Sequence, residues 1–480
     1  MAGSAFDIAV VGFGPVGATL ANLLGVRGLD VVVFDRDEEI YPLPRACHLD
    51  DTSLRVLQSA GLAEPVLAQS VPSLGMDMLD RRGRSFLTFA ADHDSNLFGY
   101  PTSVLFWQPS FEETLRAGAA QHSTVDIRLG SEVVGLTQIE AGWTLETVDL
   151  AGTHREYNAR FVVGCDGARS FTRSRMEVGL VDFEFDQNWL VVDVALTGDA
   201  QLPDRIVQYC DPNRPATFVP LPEPYRRWEL MALPGEDLVE MERPETVRGL
   251  LEPWLAADSY ELVRHAVYRF HGLVADRWHR RGLFIAGDAA HQMPPFLGQG
   301  MCSGMRDAAN LAWKLDFVIQ GRAASPLLAS YEAERAPHVA RLCERTIEIG
   351  NMIQVTEEQA AQEEILARRV VRGDSGAAPL KSGLIEDESQ GAGELFPQPQ
   401  LDGALLDEAL GGGFSVVASG DLDAPPMDLP LVRDNSLTSW FANRHADFAI
   451  VRPDRYVFTT GRQADLEAVV KRLDARLAGG

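Results

Sequence analysis

The chain has 480 residues, 46% of them apolar, and a formal net charge of -26 at pH 7. That length is more than one hydrophobic core fills, so two or three domains are expected. The negative charge works against nucleic acid and anionic lipid as partners, and no run of about 18 apolar residues is present to span a bilayer.

In chain order, Met1-Ala2-Gly3-Ser4 lacks the basic opening of a secretory signal. Residues 8–11 read as a short buried strand, followed by a glycine turn, a helix with apolar Ala18, Leu20, Leu23 and Leu24, and a second strand over 31–34, which together make a βαβ unit. From about 76 to 275, short alternating runs such as 193–198 and 209–221 predict a mostly antiparallel sheet with helices. A strand-turn-helix returns over 282–321, its helix marked by Met305, Ala308, Ala309, Ala312, Leu315 and Ile319, with Gly321 as C-cap. Residues 373–400, rich in Gly, Ser, Pro and acids, predict a linker. A small α/β segment follows, with a strand near 414–419, a hairpin around 450–459 and a helix carrying Leu466, Val469, Val470, Leu473 and Leu477. Cys47, Cys165, Cys210, Cys302 and Cys343 form no C-x-x-C pair, which argues against disulfides and structural zinc and fits a reducing, cytoplasmic setting.

Three turns carry the chemistry. Gly12-Phe13-Gly14-Pro15-Val16-Gly17 is G-x-G-x-x-G directly after a strand and opening a helix, with Asp35 at the end of the next strand. Gly12 permits the tight turn, Gly14 lets a pyrophosphate approach the backbone, Gly17 lets helix and strand pack, and Asp35 can accept from ribose hydroxyls. This motif leaves FAD and NAD open. The second turn is Asp166-Gly167, at the end of the apolar run 161–164. The third is Gly287-Asp288, at the end of 283–286, followed by Pro294, Pro295 and Gly298-Gln299-Gly300. An acid there can meet a ribityl hydroxyl, and the helix start after it offers N–H groups to a flavin's pyrimidine edge. The prolines exclude a second dinucleotide turn at 298–304, so a nicotinamide would bind transiently.

With Pro44-Arg45-Ala46, Asp50-Asp51, Gln108-Pro109, Ser303 to Ala308 and Arg452-Pro453-Asp454-Arg455, these motifs make the chain resemble the class A flavoprotein monooxygenases over nearly its whole length. Within them it is most similar to the 3-(3-hydroxyphenyl)propionate hydroxylase group. The resemblance implies an α/β fold: a Rossmann-like FAD-binding domain (1–75, 100–180 and 275–372), an inserted mixed-sheet substrate domain (76–99 and 181–274) and a thioredoxin-like C-terminal domain (401–480). Cysteine is absent from that tail, so dithiol chemistry is excluded there.

By resemblance, FAD is held by Gly12, Gly14, Pro15, Val16, Gly17, Asp35, Arg36, Arg45, Gln108, Asp166, Gly287, Asp288, Pro295, Gly298, Gly300, Met301 and Cys302. The amides of Met301 and Cys302 face the flavin O2, although many relatives carry Asn in place of Cys302. The family's reaction uses NADH or NADPH as transient co-substrate and O2, forms a flavin C4a-hydroperoxide, and hydroxylates a small phenol of phenylpropanoid or benzoate type. Such chemistry needs exclusion of water and a group that favours loss of the phenol proton. His48 is the candidate, a departure from the small or apolar residue of related propionate hydroxylases. Arg214, Arg226 and Arg227 are candidates to meet a substrate carboxylate; Asp307, Lys314 and His291 read as structural. No metal site is expected. A homodimer is the candidate assembly. The competing readings are a tailoring oxygenase acting on a polycyclic aromatic polyketide and a flavin-binding module without turnover; a halogenase is disfavoured because no two tryptophans lie two apart.

Overall fold

The computed structural model describes residues 5–42, 44–91, 97–353, 378–386, 389–426 and 429–479. Its centre is a parallel sheet in which Ala5–Val11 lies between Val31–Phe34 and His154–Gly164, with Val125–Arg128 and Leu283–Ile285 outside them. Ile8 to Val10, Val31 to Val33, Val162, Val163 and Leu283 to Ile285 are all buried, as unbroken apolar runs demand when a strand is covered on both faces. The helix Pro15–Val26 packs on the long helix Gln299–Ile319 so closely that a Cβ on Gly304 would lie 2.5 Å from Val16 Cγ2.

A second sheet is built on two long antiparallel strands, Leu180–Leu196 and Tyr260–Ala275. Tyr225–Met231, Ala216–Val219, Ile206–Cys210, Gly75–Asp80 and Ser85–Ala90 extend it in that order. One face buries Leu190, Val192, Phe218, Trp228 and Leu230 under Met241, Val247 and Leu251 of two short helices. The other face turns towards the loops of the parallel sheet: Arg227 donates to the carbonyls of Arg45 and Pro44 at 2.7 and 3.0 Å.

The C-terminal segment holds four strands in the order Leu431–Arg433, Ser415–Ala418, Phe448–Val451 and Val457–Gly461. The first pair is parallel and the other two antiparallel, so the hairpin expected near 450–459 is present.

The linker expected over 373–400 is largely packed where it is described. Leu380, Leu384, Ile385 and Phe396 are buried, and the carbonyls of Leu384 and Phe396 accept from Arg452 and Arg55. Its polar composition suggested a free chain, but its backbone serves as acceptor for buried arginines. Residues 373–377 and 387–388 of that span lie outside the described residues, as do 1–4, 43, 92–96 and 354–372. Among the described residues no helix is long and apolar enough to cross a membrane.

Candidate active site

Strand register brings the three turns together. Val11 lies opposite both Phe34 and Gly164, and Gly164 lies opposite Ile285. Gly12, Asp35, Asp166 and Gly287-Asp288 therefore leave the same carboxyl edge side by side, where open parallel sheets bind their ligands.

The glycines divide into crowded and open positions. A Cβ on Gly12, whose φ is +97°, would lie 2.5 Å from the Cys165 carbonyl oxygen, and one on Gly17 would lie 2.0 Å from that of Gly12. These two hold strand, turn and helix together. A Cβ on Gly14 would meet no protein atom within 4 Å, and the same is true of Gly167. Open space beside a glycine at the mouth of an uncapped helix is the cradle that a pyrophosphate fills. Pro15 takes the first turn of that helix, where its missing N–H costs nothing. The residues present fit a flavin dinucleotide.

Asp35 accepts from the Phe13 N–H at 2.7 Å and the Asp37 N–H at 3.0 Å, so it braces the turn as well as facing its mouth. Asp166 accepts from Ser170 Oγ and the Thr172 N–H at 2.5 and 2.8 Å. Asp288 is exposed in the single turn Gly287–Ala289 and accepts no hydrogen bond from the described residues. Pro295 begins the turn Pro295–Leu297, which Gly298 closes at φ +63°. Gly300 and Met301 then lie in the first turn of Gln299–Ile319, which no side chain caps, so their N–H groups lack intrahelical acceptors.

Several expected contacts are corrected. Arg36 is 73% exposed and lies 3.6 Å from Asp37, a solvated pair directly after Asp35. Gln108 is buried with both ends spent: its Oε1 accepts from the N–H groups of Arg45 and Ala46 at 2.5 and 2.6 Å, and its Nε2 donates to Glu112. It shapes the Arg45 loop, while the Arg45 side chain is exposed. Cys302 turns its thiol inward to the carbonyls of His48 and Gly298, 3.6 Å from each, and its N–H falls at the helix position that takes the first intrahelical bond. Burial pushes that thiol up to about 12, so it stays protonated.

Two buried networks fix the third turn and the helix start. Asp307 accepts from the Gly287 N–H at 3.1 Å, contacts His291 at 2.7 Å and receives Arg335 Nε at 2.8 Å. Asp50 receives Arg306 Nη1 at 2.8 Å and Gln299 Nε2 at 3.1 Å, and caps the helix Asp51–Gln58 through the Ser53 N–H. Burial works to raise the Asp50 pKa, but Arg306 and Ser53 outweigh it and hold the carboxylate well below its ordinary range. The sequence showed these acids and arginines without their pairing, because Asp50 and Arg306 lie 256 residues apart.

His48 lies half-buried beside the helix start, with Nε2 3.0 Å from Ser103 Oγ and Nδ1 3.4 Å from the Gly298 carbonyl. A carbonyl only accepts, so the proton belongs on Nδ1, and Nε2 accepts from Ser103. Burial, partly opposed by Asp50, holds His48 below its ordinary pKa and therefore neutral at neutral pH. Nothing in the sequence marks Ser103, a serine in a three-residue strand.

None of the three candidate arginines is free for a substrate carboxylate. Arg227 is 1% exposed and bonded to Asp193 and two carbonyls. Arg214 is paired with Glu236, and Arg226 with Glu223. The sequence offers these three arginines without their acid partners, which only the fold brings near.

Residues 5–346 match a family model described as FAD binding domain, and residues 423–476 match one described as HcaD C-terminal domain. The chain is 35% identical to a "Probable NADH-specific resorcinol 4-hydroxylase" of Rhodococcus jostii (strain RHA1), over 99% of this chain and 96% of that protein. It is 33% identical to "3-(3-hydroxy-phenyl)propionate/3-hydroxycinnamic acid hydroxylase 2" of Burkholderia vietnamiensis (strain G4 / LMG 22486), over 94% and 93%. Among solved structures, the flavin-dependent monooxygenase PieE in complex with FAD and substrate superposes with a TM-score of 0.84 at 19% identity, covering 99% of this chain and 100% of that one. Aklavinone-11 hydroxylase with FAD and aklavinone gives 0.82 at 21% identity, with full coverage of both chains. At those identities the likeness is one of fold.

Proposed function

The chain belongs to the class A FAD-dependent aromatic hydroxylases, and from that premise we propose that it places one oxygen atom on a single-ring phenol of the phenylpropanoid, benzoate or dihydroxybenzene kind. The balance is one reduced nicotinamide, one proton, one O2 and one arene giving the hydroxylated arene, oxidised nicotinamide and water. FAD, when bound, would carry two electrons from nicotinamide to O2, so that one atom of O2 can be delivered to the ring. NADH is the reductant proposed, as it is the one named for the resorcinol relative.

The observation that carries this reading is the register of three acid-glycine turns on one carboxyl edge. Gly12, Gly14, Pro15, Val16 and Gly17 would hold the pyrophosphate, Asp35 the adenosine ribose, and Asp166 and Asp288 the remaining hydroxyls. Arg45 would reach in from the loop that Gln108 shapes. Pro295, Gly298, Gly300 and Met301 would face the ring, whose pyrimidine edge gains charge on reduction beside a positive helix end. We assign His48 the substrate proton: the phenol passes it through the Ser103 hydroxyl to the Nε2 lone pair, which favours the electron-rich phenolate. The loops 44–48 and 294–300 and the facing sheet would exclude water.

The domain division proposed is FAD-binding for 1–75, 100–180 and 275–372 and substrate-binding for 76–99 and 181–274, supported by the membership of the two sheets, which His291–Gln292 alone crosses among the described strands of 275–372. For 401–480 a thioredoxin-like unit is proposed, on a strand order in which the first strand lies between a parallel and an antiparallel neighbour. Five free cysteines favour a reducing compartment. A polycyclic substrate rests on likeness of fold alone.

The test is NADH oxidation by the FAD-loaded protein in the presence of resorcinol, 3-(3-hydroxyphenyl)propionate or a hydroxybenzoate, with product mass measured under 18O2. Faster oxidation and a product heavier by one 18O are expected from at least one. No stimulation and no oxygenated product from any would sink the reading.

A further inference from the structure

Across the sheet face that looks towards the glycine turns, one row of paired residues runs Gln208, Thr217, Glu229, Val191 and Ala266. Paired residues share a face, so all five side chains point the same way. The rows on either side are roofed. On one side Arg227 holds the carbonyls of residues 44 and 45, and Val219 and Tyr225 pack in one cluster with Cys47. On the other, Trp189 lies against Phe296 with ring centroids 5.5 Å apart, and Met231 and Phe270 join that cluster. The two roofs meet where His48 Nδ1 faces the Gly298 carbonyl at 3.4 Å. The Glu229 row thus runs between the two roofs, on the face of the sheet turned towards them.

Glu229 is the polar group left open in that row. Its side chain is 12% exposed, and its nearest charged partner, Arg227 Nη1, is 3.9 Å away, beyond a hydrogen bond. Its neighbours are spent: Gln208 donates to the Ala216 carbonyl and accepts from Thr217 Oγ1. The two arginines of this face serve Asp193; Arg227 does so at 2.7 Å, and Arg264 at 3.5 Å while its guanidinium lies 4.4 Å from the Tyr268 ring centroid. Arg227 is therefore closed to a substrate, Arg264 keeps one buried N–H without an acceptor, and the Glu229 carboxylate is open to a hydroxyl.

We propose that Glu229 sets the substrate class of this enzyme: its carboxylate accepts a hydrogen bond from the second hydroxyl of an uncharged dihydroxybenzene, and it rejects phenols bearing a carboxylate. The proposal rests on the hydroxylase reading above and narrows it. Burial, partly opposed by Arg227, raises the Glu229 pKa; such a group is a strong acceptor for a phenolic hydroxyl and a poor neighbour for a second buried anion.

The test compares kcat/KM for resorcinol and for 3-(3-hydroxyphenyl)propionate in FAD-loaded wild type, Glu229→Gln and Glu229→Asp, with bound FAD confirming each fold. Wild type favours resorcinol by at least about 10-fold, and Glu229→Gln raises the resorcinol KM by about 10-fold or more while kcat changes less. The substrate ratio then moves towards the propionate. Glu229→Asp, which keeps the charge and shortens its reach, raises the resorcinol KM yet still rejects the propionate. An unchanged ratio in Glu229→Gln, an unchanged resorcinol KM in Glu229→Asp, or a wild type that prefers the propionate overturns the proposal while leaving the hydroxylase reading intact. If no phenol stimulates the wild type, both fall together.

Discussion

Gly14 and Gly17 sit three residues apart under opposite constraints. A side chain at Gly17 strikes the Gly12 carbonyl, whereas one at Gly14 meets only the space meant for a ligand. Gly14→Val is therefore expected to leave the melting temperature of the apoprotein unchanged and to weaken FAD binding by at least about 10-fold, as read by flavin fluorescence titration. His48 carries a second prediction. Its pKa lies below the ordinary histidine value, so the acid limb of the kcat profile should fall below about pH 6.5, and His48→Asn should remove that limb and cost about 10² in kcat. Asp51 gives a third. Burial and the adjacent Asp50 raise it to about 7, against about 4 in an unfolded chain. Between those values the folded chain holds the proton longer, so this group's contribution to stability is lost as pH rises through 7. Asp51→Asn should raise the melting temperature more at pH 8 than at pH 5. The glycines were legible because their spacing is itself the signal; the pairing of His48 with Ser103 was not, since it depends on the antiparallel register of His48–Asp50 with Ser103–Leu105.

The helix Gln299–Ile319 shows where periodicity reads well and where it stops. Met305, Ala308, Ala312 and Leu315 are buried, as their spacing requires. Arg306, Asp307, Asn310 and Lys314 are buried too, so the helix is enclosed all round and its polar residues pair with distant segments. Lys314 reaches Glu334 at 2.6 Å, and burial brings the ammonium down to about 8 despite that partner. Asp307 and Lys314 read as structural polar residues in the sequence; their partners are set by tertiary packing, which no local pattern encodes. Asp307→Ala should be costly, because it strands buried Arg335 and frees the Gly287 N–H of the third turn. A loss of about 3–5 kcal/mol is expected, measured as a lower urea midpoint, together with faster release of FAD. An unchanged midpoint would show that Asp307 does not anchor the turn.

At the scale of the whole molecule, the C-terminal segment is tied to the rest through buried charge. Arg452 meets Glu334 and Asp454 at 2.8 and 2.7 Å, and Asp407 takes Arg55 at 2.6 Å. The polar, glycine-rich stretch 373–400 reads as a linker in the sequence, because composition reports the absence of a core but not the acceptors a backbone offers. Arg452→Met should lower the melting temperature of the complete protein by several degrees, since it leaves Glu334 with Lys314 as its remaining cation. The account as a whole stands on three turns along one sheet edge closing on one flavin. The most direct measurement is titration of the apoprotein with FAD, followed by absorbance and by the rise in melting temperature, in wild type and in Gly14→Val. One FAD per wild-type chain with a stabilised fold, and no saturation in the variant at the same concentrations, is the result expected. A wild-type protein that stays colourless and unstabilised at any FAD concentration would contradict it.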